Sequence, residues 1–106
     1  MAGQTDTPFV EELPRLLRER GMSLRALAAM IDISDSHLSR VLRRADYKTP
    51  SPDLTRRVAL ALGLAADYFP EFREAYVVEQ IRSDPKLRND LYARLTRGRG
   101  QARLRL

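Results

Sequence analysis

Cysteine is absent from this chain of 106 residues, and histidine occurs once, at His37. Without thiols there is no disulfide and no thiolate metal centre, and one imidazole supports neither a histidine-based metal site nor a Ser-His-acid triad with a second base. The five glycines form no glycine-rich phosphate loop, and no pair of carboxylates sits in a pocket-forming context. A long apolar run is missing too, which excludes a membrane-spanning helix, and the N-terminus lacks the basic-then-apolar layout of a secretory leader. These gaps predict a protein that is not an enzyme, holds no metal or cofactor, contacts no membrane and works in a reducing cytoplasm. A chain of this length forms one small soluble domain with a modest core and leaves no room for a separate ligand-binding domain.

What the chain does have is charge. Nineteen Lys/Arg against fourteen Asp/Glu give a net +5, which points to an anionic partner. The excess is uneven. Residues 23–48 hold five bases and three acids, residues 97–106 hold four arginines and no acid, so these two segments carry +6 and the remainder −1.

The most patterned stretch is Met22 to Arg44, MSLRALAAMIDISDSHLSRVLRR. Leu24, Leu27, Ala28 and Ile31 recur at helical spacing and form one apolar stripe from Ser23 to about Ile31. Asp32-Ile33-Ser34 then makes a corner: Asp tolerates a left-handed backbone, and Ser34 is a natural N-cap. In the helix that follows, Asp35 to about Arg44, Leu38, Val41 and Leu42 share a buried arc. Ser36, Ser39, Arg40 and Arg43 lie opposite, with Asp35 and His37 on the flanks. Two short helices around so tight a turn predict a helix-turn-helix.

The run G-M-S-L-R-A-L-A-A-x-I-x-I-S-x-S-x-L-S-R-V-L resembles the phage repressor and Cro type of DNA-binding domain, the XRE family, and P-S-P-D-L-T-R-R-V-A-L-A-L-G-L-A-A-D-Y-F resembles its fourth helix and the opening of its fifth. The likeness covers roughly Phe9 to Phe69. It implies an all-α, lambda-repressor-like five-helix DNA-binding domain with a C-terminal helical extension. By function it implies a sequence-specific transcriptional regulator, a repressor that binds an inverted repeat in double-stranded DNA as a homodimer through the recognition helix 35–44.

Base reading needs side chains at the exposed N-terminal face of a helix, and register needs cations and amides on phosphates. The base-reading set is Asp35, Ser36, His37, Ser39 and Arg40. Arg40 is the main candidate, for a bidentate contact to guanine, and Asp35 fits least, because an acid near phosphates is unfavourable unless it accepts from a cytosine amino group. Asp35 also suits the positive end of its helix. The phosphate set is Ser23, Arg25, Arg43, Arg44, Tyr47 and Lys48. The last two lie in the connection Ala45 to Pro50, longer than is usual in the resembled family, and Arg44 stands where that family commonly has glycine.

Elsewhere the pattern predicts a disordered N-terminus (1–8), a DNA-binding domain (9–69), a helical hairpin (70–96) and a flexible basic tail (97–106). In the first helix Pro14 either falls in the opening turn, with the helix starting near Glu11, or bends it. Ser51-Pro52-Asp53 reads as a helix start and Gly63 as its stop. The hairpin carries Phe72, Tyr76, Val78, Ile81, Leu87, Leu91 and Leu95, which either pack on the domain or form a homodimer interface. An alternative reading keeps the fold and makes the chain a protein-interaction module, such as the antitoxin of a toxin-antitoxin pair, with a protein partner.

Overall fold

The structure, a computed structural model, describes residues 3–43 and 49–99. The regular elements among these residues are six helices: α1 (Phe9–Arg20), α2 (Leu24–Met30), α3 (Asp35–Arg43), α4 (Pro52–Ala61), α5 (Pro70–Ser83) and α6 (Pro85–Arg99). The chain divides into two units between Ala75 and Tyr76, inside α5.

The first unit is built on amphipathic stripes. Phe9, Leu13, Leu16 and Leu17 of α1 meet Leu27, Ala28 and Ile31 of the α2 region, Leu38 of α3, and Leu54, Val58, Ala59 and Leu62 of the α4 region. Phe69 closes this core: it is fully buried, with its ring edge-on to Phe9 at 4.8 Å and to Tyr68 at 5.1 Å. Such edge-to-face pairs add about 0.5–1.5 kcal/mol beyond the apolar area they remove from water.

Local chemistry sets most helix ends. Gly21 ends α1 in the left-handed region at φ 59°, where a side chain would be strained. Ser51 Oγ accepts from the Leu54 amide at 3.1 Å with Pro52 at the first helical position of α4, and Gly63, at φ 75°, follows its C-terminal cap. Pro14 is the sixth residue of α1, well inside a helix that starts at Phe9 rather than near Glu11, and its missing N–H leaves the Val10 carbonyl without its helical donor.

The start of α1 is capped from a distance. Pro8 offers no side-chain cap, and the Glu71 carboxylate accepts from the Phe9 amide at 3.0 and 3.2 Å. Arg73 donates to the carbonyls of Thr5 (2.6 Å), Asp67 (2.8 Å) and Tyr68 (2.9 Å), and the Thr5 amide donates to Tyr68 O at 3.0 Å. Residues 4–7, expected to lack structure, are therefore held against the turn before α5. Their own side chains bury little; backbone hydrogen bonds hold them, and hydropathy does not register those.

Two more arginines finish helix C-termini, where carbonyls lack intrahelical donors. Arg20 donates to Leu62 O at 3.1 Å and Arg57 donates to Ile31 O. Beneath α1, buried Glu12 takes two donors from Arg15, at 3.1 and 2.5 Å, and the Tyr68 hydroxyl at 2.5 Å. The Arg15 guanidinium holds the Glu12 carboxyl below its ordinary range against the opposing effect of burial, and the Tyr68 hydrogen bond lowers it further. Burial and the bond to Glu12 push the Tyr68 phenol up.

The second unit differs in kind. From Tyr76 to Arg97 no residue is buried: Tyr76, Val77, Val78, Tyr92 and Leu95 are exposed, and Ile81, Leu87 and Leu91 are half-buried. Tyr76 and Ile81 point about 140° apart around α5, so its apolar residues are spread around the helix and make no single wide face. Asp84 separates the helices and its carboxylate accepts from the Leu87 amide at 3.1 Å, capping α6. That helix continues to Arg99, past the expected tail boundary at 97. Phe72 belongs to the first unit, not to the second with the rest of its set.

Candidate nucleic-acid interface

Ser23, itself exposed, caps α2 by accepting from the Ala26 amide at 3.0 Å. After Met30 the chain reverses through Asp32 at φ 60°, the one non-glycine with positive φ among the described residues. The Asp32 and Ile33 amides donate back to Ala29 and Ala28 carbonyls at 3.3 and 3.0 Å, so the corner leaves few backbone groups unpaired. Ser34 Oγ then accepts from the His37 amide at 3.0 Å and starts α3.

Anchoring of α3 comes from one side. Leu38 is fully buried, and Val41 and Leu42 pack partly on the core. The other side is open: Ser36, His37, Arg40 and Arg43 are exposed, with Ser39 partly covered. The arrangement is the one the helical spacing predicts, a polar, cationic face held outward by an apolar one.

Several of the site residues pair with one another. Arg43 Nη1 donates to Ser39 Oγ at 2.8 Å, one turn back along the same helix. Arg25 Nε donates to Asp35 Oδ2 at 3.3 Å, an ion pair joining the first turn of α2 to the first residue of α3. Among the described residues Arg40 makes no hydrogen bond or ion pair. Beside it runs a groove with His37, Arg40 and Val41 along α3 and Thr49, Pro50, Ser51 and Leu54 from the start of α4. Thr49 brings a hydroxyl that sequence reasoning missed, because nothing local to it marks its proximity to α3. Arg44, Tyr47 and Lys48, expected on phosphates, lie outside the described residues.

Much of the remaining positive charge is structural. Arg20, Arg57 and Arg73 serve backbone carbonyls, Arg15 serves Glu12, and Arg56 pairs with Asp53 at 2.6 Å. The net charge thus overstates what unit one offers an anion; along α3 and its flanks Arg40 is the cation without a protein partner among the described residues. Among the described residues no group of His, Cys, Asp and Glu is arranged to hold a metal ion, and no helix is long and apolar enough to cross a membrane.

Two helices meeting at a capped corner, the second presenting an exposed polar and cationic face, define the class: a DNA-binding helix-turn-helix protein. Residues 15–69 match the helix-turn-helix family, and the chain belongs to it, as an XRE-type DNA-binding transcriptional regulator. No curated protein and no solved structure matches the chain.

Proposed function

We propose that the protein is a repressor that binds an inverted repeat as a homodimer, with α3 as the recognition helix in the major groove of each half-site. The observation that carries this reading is Arg40: exposed, without a protein partner among the described residues, on the open face of a helix locked by Leu38. A bidentate Arg contact to guanine O6 and N7 is worth roughly 1–3 kcal/mol of discrimination. Ser36, His37 and Ser39 line the same face, while Ser23, Arg43, Arg44, Tyr47 and Lys48 are assigned to phosphates.

Dimerisation is assigned to the second unit. Tyr76, Val78 and Leu95 leave 62, 39 and 62% of their surfaces in water, and a second copy would remove that apolar area together with Ile81, Leu87 and Leu91. In such a dimer the two recognition helices address half-sites about 34 Å apart, one turn of DNA. Selection of bound duplexes from a random pool at low salt tests the assignment, and failure to enrich any sequence overturns it. Enrichment of a single half-site without its inverted mate removes the dimer and keeps the recognition helix.

The same exposed apolar residues support a second reading, in which α5 and α6 receive another protein, as an antitoxin receives its toxin. Sedimentation separates the two: a concentration-dependent dimer abolished by Leu91→Asp supports the repressor, and a monomer at all concentrations supports the interaction module.

A further inference from the structure

Asp35 looks misplaced on a DNA-facing helix. It is the first residue of α3, its side chain is 44% exposed, and a carboxylate there repels the phosphates that Arg43 and Ser23 are assigned to meet. Its partner changes that. Arg25, in the first turn of α2, is 85% exposed and sends Nε to Asp35 Oδ2 at 3.3 Å, while Asp35 Oδ1 makes no hydrogen bond among the described residues. Arg25 is not capping α2, which Ser23 does, and Asp35 is not capping α3, which Ser34 does. Neither residue is buried, and an ion pair this exposed contributes little to the stability of the fold.

We infer that Arg25 is a positioning residue for base recognition: it cancels the charge of Asp35 and fixes its carboxylate so that Oδ1 accepts from the amino group of a cytosine at one position of each half-site. The chemistry follows from the two oxygens. With Oδ2 turned to the guanidinium, Oδ1 remains a pure acceptor, which suits the cytosine N4 donor in the major groove and is refused by the acceptor edges of guanine and thymine, while the N7 acceptor beside adenine's N6 donor repels the carboxylate. Arg25 retains exposed Nη donors that can face a neighbouring phosphate at the same time. Two residues on different helices thereby act as one reader, and the pair repels the backbone less than Asp35 alone.

The inference rests on α3 reading bases, and the test keeps the two apart. Full-length wild type, Arg25→Ala, Arg25→Lys, Asp35→Asn and the Arg25→Ala/Asp35→Asn double variant are each taken through selection from a random duplex pool, then titrated on the recovered site and its single-base variants across a salt series. The expected result is loss of a cytosine preference at one position in both single alanine and asparagine variants, by at least about fivefold. Arg25→Lys keeps part of it, and the double variant discriminates no less than Asp35→Asn alone. If Arg25→Ala instead weakens every duplex equally, flattens the salt slope and adds independently to Asp35→Asn, Arg25 is an ordinary phosphate contact and the inference fails. A wild-type protein that enriches no sequence removes base reading by α3 itself, and the inference with it.

Discussion

Replacing Glu12 by glutamine removes one charge from the inside of the first unit and changes almost nothing in shape. In the native chain the carboxylate accepts from the Tyr68 hydroxyl at 2.5 Å and from Arg15 at 3.1 and 2.5 Å. Glutamine can still accept from Tyr68 through its amide oxygen, but its NH2 then faces the guanidinium, donor against donor. Arg15 is 45% exposed and turns to water at little cost, so the loss falls mainly on the Tyr68 bond. Exchanging a charge-assisted hydrogen bond for a neutral one costs about 1–2 kcal/mol. In a unit of this size that is a fall in Tm of roughly 5–15 °C.

The pH dependence makes the test specific. Glu12 has a folded-state pKa depressed below its ordinary 4.5, so the charged form stabilises the fold at neutral pH, and that contribution disappears as pH falls through the folded value. Thermal melts followed by circular dichroism should show a gap between wild type and Glu12→Gln that is full at neutral pH and shrinks to nothing well below pH 4.5. A gap of the same size at both ends of that range refutes the charge argument, and no gap at neutral pH refutes the importance of the network. Tyr68→Phe serves as the cross-check: combined with Glu12→Gln it loses less than the two separate changes predict, because one weakens and the other removes the same bond.

Further expectations follow from individual residues. Asp32→Ala puts a side chain without local hydrogen-bonding capacity at φ 60° and lowers stability by about 1–2 kcal/mol in denaturant melts; Asp32→Gly does not. Glu71→Ala strips the distant cap from α1, where Pro8 provides none, and costs about 1 kcal/mol, with faster amide exchange at Phe9 as the local signature. Arg40→Ala relaxes preference at a single base pair in a binding selection, whereas Arg43→Ala weakens all sequences alike and reduces the salt slope by about 1.

The sequence by itself determined most of what acts over one turn of helix or less. Ser23, Ser34 and Ser51 cap the amide three residues onward, Gly21 and Asp32 take the left-handed positions, and the stripe of Leu27, Ala28 and Ile31 faces the core. These features are readable because donor, acceptor and backbone angle all lie within a few consecutive residues. The helix-turn-helix and the open face of α3 follow from them. Tertiary structure alone decided which groups distant in the chain meet. Glu71 reaches Phe9 across 62 residues, Tyr68 reaches Glu12 across 56, Arg57 reaches Ile31 across 26 and Arg25 reaches Asp35 across 10. Each of these meetings depends on the angle at which two helices pack, which no local pattern contains. Arginines that look alike in sequence therefore differ in the structure: some close helix ends, one turns to Asp35, and Arg40 has no protein partner among the described residues.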